Sequence, residues 1–574
     1  MTVEDVCPEI VDVVPAADRL VADLAAHPWG RSSASVYETA RLVSLAPWLT
    51  GHARRLRYLL DTQRGDGSWG PPHPGYALVP TLSAAEALLS ALRGERRTWP
   101  DGVGHAEVVK AAGQALHALA RLLDGSEPLD LPDMPAIEHI TPSLIEAING
   151  HLDELRRPPP AAFVPDWTDG RLSPPPGMDG ALLPAVREHL DAGGAVPVKM
   201  LHALEIAGPS AYRAQTIRPV PMDAPGQGAG ASFATVGASS AATAAWLGTA
   251  APDEPGSGLV SSARRYLEAA VEQHGGPVPV AAPVTNFERG WALGWLVRAG
   301  VPLDVPSGLI VQMRESLGEQ GAPGGTGLPP DADTSSGVLY ALSLLGVPHR
   351  PDLLWKYETE THFCSWPGEN GRSVTTNAHV LEAFGHYLAA TGAAARPGIG
   401  ERYAATVRKV ASWLVGQQLD DGRWQDRWHA SPLYATVCCA LALDAFGGAE
   451  SVHAVDRAIQ WTIREQRPDG SWGRWDGTAE ETAYAVQLLA LTGARRGGTT
   501  MAHAAARALR RGGAHLRGVA AAMAGDEPGV PVDIDSDKPP LWHDKDVYRP
   551  ITIVRAAVLG ALHLTPGDAH VSLR

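Results

Sequence analysis

A heptapeptide that recurs three times limits what this chain can fold into more than any other feature. It reads Gln63-Arg-Gly-Asp-Gly67-Ser-Trp69, then Gln418-Leu-Asp-Asp-Gly422-Arg-Trp424, then Gln466-Arg-Pro-Asp-Gly470-Ser-Trp472. Each copy follows an amphipathic stretch, turns through Asp-Gly and leads toward another helical run. The pattern predicts a clamp in which the Gln side chain bonds backbone groups at the start of the next helix while the Trp ring packs over the junction. Helix-turn-helix units of this kind tile α/α barrels. The repeats speak for architecture and carry no chemistry.

The segments around the repeats have the same character. Apolar stripes at helical spacing run through residues 81–92, 241–247, 380–388, 435–445 and 482–491, with small residues that let helices approach closely. Strand alternation is scarce, and glycine and proline concentrate in the connections, so an all-α architecture is expected. With 574 residues, 45% of them hydrophobic and 19% charged, the chain has material for several cores. Residues from about 150 to 265 hold the proline runs 158–160 and 174–176 and a glycine-serine segment near 226–232, whereas the chain after 280 is a regular helical series. Two domains with a boundary near residue 265 follow.

A formal charge of −15 disfavours nucleic acid or an anionic membrane as partner. Cys7, Cys364, Cys438 and Cys439 lack metal-ligand spacing, and an adjacent pair is not a disulfide framework, which fits a reducing cytoplasm. The N-terminus does not read as a signal peptide, and no apolar run approaches the length of a membrane-spanning helix.

Chemistry enters at residues 330–338, Pro-Asp331-Ala-Asp333-Thr334-Ser-Ser-Gly-Val, where two carboxylates one residue apart follow a glycine- and proline-rich loop and open a helical run. A helix N-terminus stabilises negative charge, so the segment reads equally well as an acidic N-cap or as a pair of working acids.

Other segments favour the second reading. Ser35-Val-Tyr37-Glu38-Thr-Ala precedes the first repeat; Thr141-Pro-Ser-Leu-Ile-Glu146, Val198-Lys199-Met-Leu-His202-Ala-Leu-Glu205 and Pro283-Val-Thr-Asn-Phe-Glu-Arg289 follow in order. After the acidic segment come Ser373-Val-Thr-Thr-Asn377-Ala-His379 and Leu541-Trp-His-Asp-Lys545-Asp546. In this order, over nearly the whole chain, they resemble the bacterial class II terpene cyclases, which start cyclisation of a linear prenyl diphosphate by protonating its distal alkene. The resemblance implies two α/α barrels, with residues 1–30 and 266–574 forming the β domain and 31–265 an inserted γ domain. It leaves no room for a class I domain, and no Asp-Asp-x-x-Asp helix motif is present, so the diphosphate should survive.

The same resemblance assigns roles. Asp333 takes the place of the general acid and Asp331 of its supporting neighbour. Thr334 stands where Asp is commoner and supplies a hydroxyl in place of a charge. Asn377 and His379 become hydrogen-bonding partners of the acid. An acidic stretch in γ, here Glu127 and Asp130, would hold Mg²⁺ against the diphosphate, carboxylate oxygens being suited to that ion. Lys199, His202, Arg289 and Lys545 are candidate phosphate contacts. Trp291, Trp366 and Tyr434, with Phe363, Trp428 and Tyr484, are candidate walls of a cavity in which π faces stabilise a carbocation. Stretches 193–195 and 279–281 lack the His/Asn pair that ends the reaction in plant copalyl synthases, so labdane, halimadane and clerodane skeletons stay open.

The implied substrate is geranylgeranyl or farnesyl diphosphate, the latter giving a drimane-type sesquiterpene product. The implied partners are a downstream class I synthase or phosphatase, and a second copy of the chain in a homodimer. Stable membrane insertion is not expected. An α/α-toroid glycoside hydrolase using the carboxylate pair and a non-catalytic helical scaffold are the readings from other classes.

Overall fold

The computed structural model describes residues 13–93, 102–125, 129–157, 167, 170–223, 232–249, 258–369, 371–392, 398–493, 499–523 and 533–565. Glu127, Cys7, the proline run 158–160 and most of the glycine-serine segment lie outside them. In chain order the helices are α1 (Val13–Ala26), α2 (Val36–Leu45), α3 (His52–Asp61), α4 (Pro74–Arg93), α5 (His105–Leu123), α6 (Ile137–Leu155), α7 (Leu182–Asp191), α8 (Ser240–Leu247) and α9 (Leu259–Gln273). They continue as α10 (Thr285–Arg298), α11 (Ser307–Glu315), α12 (Ala332–Leu344), α13 (Val374–Thr391), α14 (Ile399–Gly416), α15 (Pro432–Phe446), α16 (Val452–Arg464), α17 (Ala479–Leu488), α18 (Thr499–Met523) and α19 (Ile551–Leu564). A 3-10 segment, Val198–Ala211, lies between α7 and α8. Two short antiparallel pairs, β1 (Val220–Asp223) with β2 (Ser232–Thr235) and β3 (Trp542–His543) with β4 (Val547–Tyr548), are the strands among the described residues.

Neighbouring helices close two rings. In the first, α2 packs on α4, α4 on α6, α6 on the 3-10 segment, that segment on α8, and α8 back on α2. In the second, α10, α12, α13, α15, α17 and α19 follow one another around and α19 returns to α10. Ring helices are apolar on every side: α15 buries eleven consecutive residues from Leu433 to Leu443. Outer helices such as α16 are amphipathic and lean on the ring with one stripe, Ala454, Val455, Ala458, Ile459 and Trp461. The N-terminal α1 packs against α10 and α19 of the second ring.

Helix α4 is long and apolar enough to cross a membrane, contrary to the expectation that no such run exists. Residues 75–89 are all buried inside the first ring, which accounts for a composition that a bilayer would also accept.

The repeats build junctions that agree closely. In each, the Trp backbone N–H donates to a Thr hydroxyl of the next helix (Thr81, Thr436, Thr482; 3.0 Å each), and the indole N–H donates to a carbonyl of the preceding one (Leu59, Leu414, Thr462; 2.7–2.8 Å). The Gln amide behaves differently from expectation. It donates to the turn glycine's carbonyl and to a carbonyl of the helix beyond the next: Ala111 at 3.0 Å, Ala454 at 2.8 Å and Ala508 at 2.9 Å. Each clamp therefore ties three helices. The turn glycines sit at φ of +87° (Gly67), +101° (Gly422) and +91° (Gly470). A Cβ on Gly422 or Gly470 would also lie 2.6 or 2.7 Å from a carbonyl of that third helix, so glycine is required twice over.

The chain changes core later than residue 265, a position that falls inside α9. Tyr266, Leu267 and Ala270 of α9 bury with α8 and β2, as do Val278 and Ala282, while Val280, Ala281 and Val284 already belong to the core of the second ring.

Candidate active site

The acidic segment starts α12, and the two carboxylates do different things there. Asp331 is the N-cap: its Oδ1 accepts from the Thr334 backbone N–H at 2.6 Å, and the Thr334 hydroxyl bonds it as well. Burial, and then the charge of Asp333, push the Asp331 carboxyl up to about 7, so it keeps a proton near neutrality. Asp333, one residue into the helix, turns toward α13, where its Oδ1 lies 2.7 Å from His379 Nδ1. Burial works against a charged imidazole, but Asp333 outweighs it and His379 is held well above the ordinary histidine value. A protonated imidazole is thus fixed on one oxygen of Asp333, leaving the other for chemistry.

Aromatic rings continue from this pair. Trp291 of α10 stands edge-on to His379 with centroids 4.9 Å apart, and its indole N–H donates to Tyr434 Oη at 2.7 Å. It can lie there because residue 337 is glycine: a Cβ would come within 2.5 Å of the indole ring. Phe287 (4.6 Å from Trp291), Trp542 (5.5 Å from Phe287 and 4.7 Å from Tyr434) and Tyr484 (5.3 Å from Tyr434) extend the wall. At its far end β3 meets the first ring, with His543 Nε2 3.1 Å from Tyr76 Oη. Burial drives His543 down to about 3, so it is neutral and accepts from the phenol there.

A second polar corner lies where the two rings meet. Arg427 reaches Asp133 Oδ1 at 3.1 Å and Glu369 at 3.4 Å, with its guanidinium 5.1 Å from the centre of the Trp428 ring. Trp428 meets Trp366 edge-on at 5.5 Å. The indole nitrogens of both tryptophans and Arg427 Nε are buried donors without a protein partner, an arrangement that suits an anion.

Other expected residues go elsewhere. Asn377 is spent on Phe363, accepting from its N–H and donating to its carbonyl, both at 2.9 Å, and does not reach the acid. Lys545 is fully buried against Glu38, with Glu205 Oε1 and Ser239 Oγ at 2.9 Å and the His202 carbonyl at 2.6 Å. His202 bridges the Gly237 carbonyl (2.6 Å) and Asp544 (2.8 Å). These two cations lock the two rings together and have no free face for a phosphate. Arg289 is buried and donates to the Leu24 carbonyl, holding α1. Lys199 is exposed on the 3-10 segment.

Asp130 is exposed and flanks a cleft with Arg64, His73 and Arg121. Among the described residues no three His, Cys, Asp or Glu side chains gather as a metal site.

A family model described as "Squalene-hopene cyclase C-terminal domain" matches residues 375–529. The chain is 40% identical over 553 residues to an ent-copalyl diphosphate synthase of Streptomyces sp. (strain KO-3988), covering 96% of both chains. This chain is a class II diterpene cyclase. It is also 38% identical to a labda-7,13-dienyl diphosphate synthase of Streptomyces clavuligerus, over 96% of this chain and 93% of the relative. The solved ent-copalyl diphosphate synthase of Streptomyces platensis matches this cyclase with a TM-score of 0.84 and 42% identity, over 96% of this chain and 99% of that one. Of the site's parts, Phe287, Trp542, Arg427, Tyr76 and His543 were not among the residues given a role from sequence. Arg427 lies three residues beyond the repeat at 418–424, a stretch read as architecture alone.

Proposed function

We infer that this cyclase takes geranylgeranyl diphosphate, protonates its distal alkene from Asp333, and closes a bicyclic labdane-related diphosphate without ionising the diphosphate. The observation that carries the reading is the Asp333–His379 contact set against the Trp291 wall. An alkene is a very weak base, so the acid must become far stronger at the moment of transfer than a solvated carboxyl. As the O–H proton of Asp333 moves to the alkene carbon, the charge left on the carboxylate is met by the Nδ1–H of His379 already in place, with no reorganisation. The carbocation then moves over Trp291, Phe287, Tyr434 and Trp542, whose π faces stabilise it while their bulk keeps water away.

The corner of Arg427, Trp366 and Trp428 takes the diphosphate in this reading. Its three unpartnered donors face a group with many acceptor oxygens. Mg²⁺ on Glu127 and Asp130 belongs to the same proposal; an Asp130→Ala variant should need more Mg²⁺ for half-maximal rate, and an unchanged titration removes the ion from that residue. The domain division proposed is a β domain of residues 1–30 and from about 284 onward, with γ between.

Purified enzyme is incubated separately with geranylgeranyl and farnesyl diphosphate, the products are dephosphorylated, and the alcohols are identified by mass spectrometry. A bicyclic C20 alcohol that disappears in Asp333→Asn, with helical content unchanged, is the expected result. A variant that cyclises at the wild-type rate removes Asp333 from the acid's role, and a drimane alcohol from the shorter substrate moves the enzyme to sesquiterpenes.

A further inference from the structure

The aromatic wall has a carboxylate behind it. Glu480 is the second residue of α17, and only 2% of its side chain is exposed. Its Oε1 accepts from the indole N–H of Trp542 at 2.7 Å, from the phenol of Tyr484 at 3.1 Å and from Nε2 of His429 at 3.2 Å. His429 is the neutral tautomer with its proton on Nε2, because its Nδ1 accepts from the Ser431 backbone N–H at 3.0 Å. Burial, and then the charge of Glu480, hold the Tyr484 phenol well above its ordinary value, so it too keeps its proton and donates. An oxygen that serves three donors uses more lone pairs than the carbonyl of a neutral acid has, which marks a carboxylate.

Other buried glutamates are answered by a cation: Glu86 by Arg41, Glu382 by Arg298, and Glu38 and Glu205 by Lys545. Among the described residues Glu480 pairs with no lysine or arginine, only with the neutral His429. The N-terminus of α17 favours negative charge, yet Asp535 already caps it through the N–H groups of Ala479 and Glu480, at 3.0 Å each. A buried charge left without a counter-ion lowers stability, so its position calls for a reason. It lies one ring layer behind the wall. Trp542 is 4.7 Å from Tyr434, His429 stacks on Tyr434 at 4.6 Å, and Tyr434 accepts from Trp291.

We propose that Glu480 is the counter-charge of the carbocation at the Tyr434–Trp542 end of the cavity, acting through the rings that bond it. The inference rests on the cyclase reading above, in which the cation passes over these rings. Two effects add. The carboxylate attracts a cation across one ring layer, in a dry site where the attraction is little screened. The hydrogen bonds it accepts also draw the indole and phenol hydrogens toward it and leave the faces of Trp542 and Tyr484 richer in electrons, which strengthens their hold on a cation. Trp291 stands beside the acid, where positive charge first forms; Tyr434 and Trp542 lie one ring further, where it stands once both rings of the product have closed. Glu480 thus favours closure of the second ring over loss of a proton from the monocyclic cation. It takes up no proton and does not touch substrate, so it is a positioning residue.

A stable mimic reads this charge without turnover. Two bicyclic diphosphates, one with a tertiary ammonium in place of the cationic ring carbon and one with an uncharged carbon there, are titrated calorimetrically into the enzyme. Wild type should bind the ammonium compound about tenfold or more tightly than its carbon counterpart. Glu480→Gln keeps the shape and an oxygen for the three donors; it should lose about tenfold of that preference, with the carbon compound bound within about twofold of wild type. Its products from geranylgeranyl diphosphate should shift toward monocyclic alcohols after dephosphorylation. Glu480→Asp keeps the charge but not the geometry and should hold the preference within about threefold of wild type, whereas a structural role would suffer at least as much from Asp as from Gln. An undiminished preference in Glu480→Gln overturns the proposal, as does an equal loss for both compounds. Either result leaves the cyclase reading in place; no preference in wild type would remove the cation from these rings and overturn both. If Glu480→Gln does not fold, Glu480→Asp decides alone, and loss of the whole preference with the charge kept overturns the proposal.

Discussion

Replacing His379 with glutamine tests the acid most directly. Glutamine occupies nearly the same space and can donate a neutral hydrogen bond, but it brings no charge to the oxygen that His379 meets at 2.7 Å. His379 and Asp333 are 10% and 19% exposed in their side chains, so solvent does little to replace what is lost. Removing a preorganised charged donor from a developing oxyanion costs about 3 kcal/mol of transition-state stabilisation, or roughly a hundredfold in rate. The substrate does not bind through this contact, so kcat should fall and KM should stay within about twofold. The loss should be in the chemical step, and single-turnover rapid quench should show it at full size. A His379→Gln enzyme with kcat within threefold of wild type would mean that the imidazolium does not serve the acid. The geometric reading of the site would then fail even if Asp333 proved essential.

Lys545→Met should lower stability by about 3–5 kcal/mol, because Glu38 and Glu205 stay buried without their cation. Adding Glu38→Gln should recover part of it, as a urea titration of the two variants would show; equal losses in both would deny the coupling. Gly470→Ala puts a Cβ at φ +91° and 2.7 Å from the Arg511 carbonyl, and should cost about 1–3 kcal/mol with kcat/KM unchanged for the folded fraction. The His379–Asp333 pair also fixes a pH dependence. Since His379 is raised on folding, its contribution is fully present below about pH 6.5 and is lost as pH rises through the folded value. The Tm advantage of wild type over Asp333→Asn should accordingly shrink as pH rises above about 6.5 and through the folded value of His379, and a constant advantage would contradict the ion pair.

What the sequence made legible was local. The repeats specify turns by residue type, and the acidic segment specifies a helix start, so α12 begins with Asp331 as its cap. His379 was found because its neighbours follow a recognisable order, yet the same order suggested Asn377, which sits two residues away on the other side of α13 and serves Phe363. Spacing placed both residues on one helix; the direction each faces depends on how α13 sits in its ring. The lysine and histidine assigned to phosphate failed for a related reason. A cation read in sequence looks available, and whether it is depends on carboxylates that are far away in the chain: Glu205 lies 340 residues before Lys545. In a buried site of this kind, charge is usually cancelled across such distances. The groups left over for a ligand are then the ones whose hydrogen-bonding capacity the fold does not use. The indole N–H groups of Trp366 and Trp428 and the Nε of Arg427 meet that test, as does the Nε of Arg289, whereas Lys545 and His202 do not. Unpaired donors, more than the sum of positive residues, are therefore the better guide to where an anion is to be sought in this cyclase.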